Sequence, residues 1–157
     1  MDKIKILFVC SGNSVRSIMA EAILRQEAGD VFDVYSAGLE GKGIHPLTLR
    51  VLEEAGISTA SLYSKPLEEY IGKNSFGYLI TLCSLADIRC PIFMGQGMRL
   101  QWPFADPIFV DGTEEEKLAA FRKTRDEIAE TIDWWLSRQG LSEKYAWTDA
   151  GMNTISL

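Results

Sequence analysis

The chain has 157 residues, a length typical of one domain with its own hydrophobic core. Its 16 Lys and Arg against 22 Asp and Glu give a net charge of −6, which argues against nucleic acid or an anionic membrane as partner. Three cysteines are too few for a secreted disulfide scaffold, and neither a signal peptide nor a membrane span is apparent. We therefore expect a cytoplasmic protein.

Strand-like and helix-like segments alternate in the first half of the chain. The near-continuous apolar run 4–9 and the segment 32–36 predict strands, and 16–28 predicts an amphipathic helix with Glu21 on its solvent side. Pro46 opens a second helix, which ends at about Ala55 before Gly56. His45, just before that proline, is read as a residue of the helix N-terminus rather than a catalyst.

The second half begins with another apolar run, 76–82, which is typical of a strand covered on both faces. A short fourth strand is predicted at 99–102. Thr113 and Glu116 form a capping box that starts a long helix to about Arg138. Residues 141–157 lack a clear periodicity and are interpreted as a tail, docked through Tyr145 and Trp147.

Alternating strands and helices predict an α/β fold, a parallel sheet with helices on both faces. No linker or internal repeat is visible, so we expect a single three-layer domain over 1–140, followed by the tail. Ligands of such folds bind beyond the carboxyl ends of the strands. Cys10 and Cys83 both fall at such ends.

The segment Cys10–Ser17, C-S-G-N-S-V-R-S, lies between a predicted strand and a predicted helix. Its glycine and asparagine permit a tight turn whose N–H groups converge at the helix N-terminus, where a tetrahedral anion binds well. The arginine adds a two-pronged donor, and the final serine hydroxyl can donate to a Cys10 thiolate. The predicted oxyanion-binding residues are Ser11, Gly12, Asn13, Ser14, Val15 and Arg16, with Cys10 as nucleophile and Ser17 as its partner.

The V-C-x-G-N-x-x-R-S pattern at 9–17 resembles the signature of the low-molecular-weight protein tyrosine phosphatase superfamily. The resemblance implies a four-stranded parallel sheet, a cysteine nucleophile and an Asp-Pro general acid late in the chain. Asp106, followed by Pro107, stands at the matching place. The aromatic pair that follows this motif in the phosphatases is replaced here by Ile108 and Phe109.

The L-C-S-x-A-D-x-x-C-P pattern at 82–91 is similar to that of the thioredoxin-coupled arsenate reductases built on the same fold. This resemblance implies that Cys10 attacks arsenate while Asp106 protonates the leaving oxygen. Cys83 then attacks Cys10 and releases arsenite, forming a Cys10–Cys83 disulfide. Cys90 attacks Cys83 in turn, and thioredoxin reduces the final Cys83–Cys90 disulfide. Phosphate and sulfate are the expected competing oxyanions.

If residues 84–89 are helical, the Cα atoms of Cys83 and Cys90 are roughly 10 Å apart, too far for a disulfide. That segment would have to unwind on oxidation. Two alternatives remain open at this point. One is a phosphatase that hydrolyses phosphomonoesters through a Cys10 phosphoenzyme, and the other is a non-catalytic oxyanion-binding module. The reductant also remains open between thioredoxin and glutaredoxin.

We expect neither a metal site nor a tightly bound cofactor, because the chain has one histidine and its cysteine spacing does not match a zinc site. Family members that bind potassium near the loop use residues matching Asn13, Glu21 and Ser36 plus an acidic residue. The acidic position falls at Lys65 or Pro66 here. If it is Lys65, its ammonium group takes the place of the cation.

Overall fold

A computed structural model describes residues 3–70, 72–90 and 97–141 of the chain, except the side chains of Asp87 and Ile88. Its sheet has four parallel strands in the order β2-β1-β3-β4. The strands are β1 (Ile4–Cys10), β2 (Phe32–Gly38), β3 (Tyr78–Thr81) and β4 (Met98–Gln101). The helices are α1 (Arg16–Ala28), α2 (Pro46–Glu54), α3 (Ser84–Arg89) and α4 (Glu114–Arg138), with 3₁₀ turns at Leu67–Glu69 and Pro107–Phe109. The α/β class, the parallel sheet and its four strands are therefore confirmed.

Side chains of the central strand alternate between two cores. Ile6 and Phe8 pack on one face of the sheet with α1, α2 and α4, while Leu7 and Val9 pack on the other. The second face is covered by α3 and by residues near the first 3₁₀ turn, among them Tyr70. Helices cover both faces of the parallel sheet, so β1 is buried on both sides from Ile6 onward, which explains its apolar run 6–10.

The order of the strands reverses direction beside β1. The chain first adds β2 on one side of β1, in register Cys10↔Gly38, and then β3 on the other, in register Val9↔Thr81. In parallel α/β sheets the crevice outside such a reversal is the preferred ligand site. The residues that follow β1 and β3, including Cys10 and Cys83, flank this crevice.

Element boundaries differ from the prediction by a few residues. β3 is shorter than 76–82, although Gly77 N–H donates to Lys5 O and Leu82 N–H donates to Val9 O, each at 2.8 Å, so pairing with β1 extends past both ends of the strand. The capping box of α4 is confirmed, with Thr113 Oγ1 accepting from Glu116 N–H at 3.1 Å. The proposed docking residues Tyr145 and Trp147 lie outside the described residues, and the division at 140 stays a prediction.

Candidate active site

The loop Cys10–Val15 between β1 and α1 is held from outside by the segment that follows β2. The carbonyls of Cys10, Ser11 and Gly12 accept from Leu39, Glu40 and Lys42 N–H at 3.0, 3.0 and 2.9 Å. Ser14 O accepts from His45 N–H at 3.2 Å. Because C=O and N–H point in opposite directions across a trans peptide, the N–H groups turn toward the inside of the loop. The predicted anion-binding loop therefore has the required polarity.

Two residues allow this curvature. Asn13 has a φ of 47°, in the left-handed region that asparagine tolerates better than most side chains. Gly38 lies directly beneath the loop, and a Cβ atom there would come within 2.5 Å of Asn13 N. A residue larger than glycine at position 38 would displace the turn.

Cys10 combines a buried position with a hydroxyl partner. Its Sγ lies 2.8 Å from Ser17 Oγ, in the first turn of α1. The N-cap of that helix is Val15, whose side chain has no oxygen to cap the first amides. The free amides, the positive end of the helix dipole and the Ser17 hydroxyl all favour a thiolate over a thiol. The arrangement suits a nucleophile, as the sequence predicted.

Arg16 connects the loop to the segment after β4. Its guanidinium donates to Asp106 Oδ2 at 3.1 Å, to Phe104 O at 3.1 Å and to Ser11 Oγ at 3.3 Å. The other carboxylate oxygen of Asp106 accepts from Ile108 N–H at 3.1 Å. The structure thus brings Asp106 to the mouth of the loop, 90 residues away in the chain from Arg16. The contact with Phe104 carries no signal in the sequence.

A pocket of about 750 Å³ opens over the loop. The residues that form its wall include Cys10, Arg16, His45, Ile108 and Phe109. His45 caps α2, because its Nδ1 accepts from Leu47 N–H at 3.1 Å. The prediction of a helix N-terminal role for this histidine is therefore confirmed, whereas its place in the pocket wall was not anticipated.

Cys83 and Cys90 bracket α3. Cys83 is half-buried at the N-cap, where its Sγ accepts from Ala86 N–H at 3.3 Å and lies 3.8 Å from Ser11 Oγ. Cys90 is buried at the C-cap, in the core on the second face of the sheet. All three cysteines are thiols in the structure. Residues 84–89 are helical, so a disulfide between Cys83 and Cys90 requires this helix to open.

The solvent-facing position predicted for Glu21 is wrong. Glu21 is only 3% exposed, because β2 and the segment 63–65 cover that side of α1. Its carboxylate accepts from Arg25, Ser36 and Lys65. Amphipathic periodicity assigned this side of the helix to solvent because the covering residues come from distant parts of the chain.

The ammonium group of Lys65 lies among the residues that match the potassium ligands. Lys65 Nζ lies 3.5 Å from Asn13 Oδ1, 3.4 Å from Glu21 Oε1 and 3.3 Å from Ser36 Oγ. An ammonium group among these oxygens leaves neither the space nor the negative charge that a potassium ion needs. The residues present do not fit that ion.

Within residues 3–70, 72–90 and 97–141, His, Cys, Asp and Glu side chains form no group of three that suits a metal ion. The helices of the described chain are all too short or too polar to cross a lipid bilayer.

Comparison with known proteins agrees with this geometry. The family model described as low molecular weight phosphotyrosine protein phosphatase matches residues 5–146. An arsenate reductase of Bacillus licheniformis is 42% identical over 132 residues, covering 84% of this chain and 94% of the relative. A solved structure described as an arsenate reductase in the phosphate binding state aligns with a TM-score of 0.72 at 28% identity, over 86% of this chain and 98% of the other.

An arginine phosphatase from Geobacillus stearothermophilus aligns with a TM-score of 0.66 at 26% identity, over 87% of this chain and 93% of the other. The fold is thus shared by enzymes whose names denote different reactions. The match of the family model over most of the chain, together with the loop at 10–17, shows that this protein belongs to the low molecular weight phosphotyrosine protein phosphatase family.

Proposed function

We propose that this protein reduces arsenate to arsenite through its three cysteines, with thioredoxin as the reductant. The observation that carries the proposal is the place of Cys83. Its half-buried Sγ lies 3.8 Å from Ser11 Oγ, at the rim of the loop that holds Cys10. A phosphatase has no use for a second thiol at this point, whereas a thiol relay requires one.

In the first step, the Cys10 thiolate attacks arsenic and displaces one oxygen, giving a thiol–arsenate adduct. The loop N–H groups and Arg16 bind the other oxygens. The Asp106 carboxylate accepts from the Arg16 guanidinium and from Ile108 N–H. When the oxyanion binds the Arg16 guanidinium, it replaces Asp106 as the acceptor. Asp106 can then take up a proton and donate it to the leaving oxygen, which departs as water.

In the second step, the Cys83 thiolate attacks Cys10 Sγ. A Cys10–Cys83 bond forms, and the electron pair of the sulfur–arsenic bond stays on arsenic, which becomes arsenite. The two electrons that reduce As(V) to As(III) come from the two thiols. The position of Cys83 favours this step, because its sulfur lies 3.8 Å from the hydroxyl of Ser11, the residue next to Cys10.

In the third step, Cys90 attacks Cys83 and frees Cys10. The product is a Cys83–Cys90 disulfide, and its formation opens α3, which now separates the two residues. A six-residue helix is marginal on its own, so the main cost of opening it is the loss of the core packing of Ala86 and Cys90. An exposed disulfide then passes to the dithiol of thioredoxin by exchange, which restores all three thiols.

A single-turnover experiment tests the relay. The protein is mixed with one equivalent of arsenate, quenched by alkylation and mapped by peptide mass spectrometry. We expect a Cys83–Cys90 link in the wild type, a Cys10–Cys83 link in Cys90→Ser, and a Cys10 adduct or free Cys10 in Cys83→Ser. Each serine variant should lose at least a hundredfold in arsenate turnover with thioredoxin and NADPH, because its cycle cannot close.

Two results would contradict the proposal. Full arsenate turnover by both serine variants would remove the second and third thiols from the mechanism. Efficient phosphomonoester hydrolysis with no arsenate-dependent thiol oxidation would indicate a Cys10 phosphoenzyme instead. Wild type carried through the same steps without arsenate serves as the control for air oxidation.

A further inference from the structure

Lys65 is an unusual residue, since its side chain is only 2% exposed and lies next to the catalytic loop. Lysine is almost never fully buried unless its charge is paired. Its Nζ donates to Tyr63 O at 2.8 Å and lies 4.4 Å from the centre of the Tyr63 ring. Among the described residues, its other side-chain hydrogen bonds are with Asn13, Glu21 and Ser36. The burial therefore serves a polar cluster beneath the loop.

The cluster fixes the orientation of the Asn13 amide. Asn13 Oδ1 accepts from Lys65 N–H at 2.8 Å and faces Lys65 Nζ at 3.5 Å. Its Nδ2 therefore points the other way and donates to Ser17 Oγ at 2.8 Å and to Ser36 Oγ at 2.9 Å. A flipped amide would place Nδ2 against an ammonium group and an N–H donor.

This orientation decides which way the Ser17 hydroxyl points. Ser17 Oγ accepts from Asn13, so its own hydrogen is left for Cys10 Sγ at 2.8 Å. A donated hydrogen stabilises the thiolate and not the thiol. The direction of each hydrogen bond from Lys65 to Cys10 thus favours the reactive form of the nucleophile.

Charge balance gives the ammonium group a second role. Glu21 is buried, and Arg25 contacts only one oxygen of its carboxylate. The other oxygen faces Lys65 and Ser36. The charged groups that act on Lys65 are Glu21, Glu69 and Arg25. Desolvation lowers the pKa of Lys65, and attraction to Glu21 opposes that effect. The pair is therefore sensitive to removal of either partner.

We propose that Lys65 is a positioning residue whose ammonium group serves as a built-in monovalent cation, orienting Asn13 so that Ser17 donates to the Cys10 thiolate. The inference rests on the proposed role of Cys10 as a thiolate nucleophile. It does not depend on the substrate being arsenate. It also explains why a potassium ion does not fit the residues present.

The test compares Lys65→Met, which keeps the volume without the charge, with Lys65→Ala, which leaves room for a small cation. The readout is the pH dependence of Cys10 alkylation by iodoacetamide, followed by peptide mass spectrometry. In Lys65→Met we expect the alkylation midpoint to rise by about one pH unit, the size of one charge-assisted hydrogen bond. The backbone N–H of residue 65 still donates to Asn13 in both variants, so a change in the midpoint reports the loss of the ammonium group.

Cation rescue separates positioning from a general loss of packing. In Lys65→Ala, potassium or ammonium chloride should bring the midpoint back toward the wild-type value, whereas tetramethylammonium chloride should not. Lys65→Met, the wild type and the exposed-lysine control Lys73→Met should not respond to the choice of cation.

An unchanged alkylation midpoint in Lys65→Met would overturn the inference, and so would failure of every small cation to rescue Lys65→Ala. If Lys65→Met does not fold, the double variant Lys65→Met with Glu21→Gln also removes the buried carboxylate that has lost its lysine partner, and the midpoint must still rise. The alkylation midpoint does not depend on arsenate turnover. If the midpoint shifts but the protein does not reduce arsenate, the positioning role of Lys65 is supported and only the proposed reaction is contradicted.

Discussion

His45 shows how one side chain can serve both a helix and a pocket. Its Nδ1 accepts from Leu47 N–H, so the neutral ring carries its hydrogen on Nε2. The ring also packs on Phe121, with centres 4.8 Å apart. Burial lowers the pKa of His45 below 6.5; Asp106 opposes this shift and Lys117 adds to it. A proton on Nδ1 would remove the cap of α2.

We therefore predict that His45 titrates with a midpoint below 6.5. It is the only histidine, so its Hε1 resonance in a proton NMR titration is unambiguous. Between the folded and unfolded pKa values the unfolded chain binds the proton that the folded chain rejects, so the free energy of unfolding falls as pH drops through this window. His45→Asn, which keeps a capping oxygen, should lack that dependence. A midpoint at or above 6.5 would contradict the assignment.

The site was predictable from sequence wherever its residues are neighbours in the chain. Cys10, Asn13 and Arg16 lie within seven consecutive residues, and these residue types at this spacing indicate an anion-binding loop. The partners of Glu21 were not predictable from periodicity, because Lys65 is 44 positions away and lies beyond β2 and α2 in the chain. Burial of a charged residue follows from tertiary packing, which a helical pattern does not contain.

Among the helices and strands, α4 is the one whose start is most clearly determined by neighbouring residues in the sequence. Thr113 and Glu116 bond reciprocally across its first turn, and three acidic residues, 114–116, favour the positive end of the helix dipole. These signals act over four residues and need no tertiary contact. The start of this helix was therefore predictable to within one residue. The ends of β3 were not, because they depend on how far β1 and β4 extend beside it.

Removing the cap should destabilise the protein measurably. We expect Thr113→Ala to lower the free energy of unfolding by about 1 kcal/mol, which corresponds to a fall of roughly 2–4 °C in Tm. Thermal unfolding followed by circular dichroism gives both values. Thr113→Ser keeps the hydroxyl and should behave as the wild type. An alanine variant as stable as the serine variant would show that the capping bond contributes nothing.

On the scale of the whole molecule, Trp135 connects α4 to two strands, β2 and β3, and to the residue that follows β4. Its ring lies 5.4 Å from Phe32 in β2, 5.1 Å from Tyr78 in β3 and 6.0 Å from Trp102, which follows β4. Because β1 lies between β2 and β3, the tryptophan joins two strands that do not pair with each other. The side chain is 5% exposed.

Trp135→Ala should cost about 3–5 kcal/mol, a large share of the 5–15 kcal/mol typical of a folded domain. The adjacent Trp134→Ala is a matched control, because Trp134 is only partly buried and packs against exposed Arg138. Urea unfolding should give a much smaller loss for Trp134→Ala. Equal losses in the two variants would mean that the aromatic contacts of Trp135 add nothing beyond the burial of an ordinary tryptophan on this helix.

Cys10 is the last residue of β1, and its main chain is held in place by the sheet. Gly38 lies opposite it in β2, and Leu39 N–H donates to its carbonyl. An atom held in this way cannot travel far, so in a thiol relay the distance must be closed from the other side. Cys83 begins a helix of six residues, the shortest in the described part of the fold. The time course of disulfide transfer would then be governed by the opening frequency of α3, while the oxyanion loop remains a fixed template throughout the cycle.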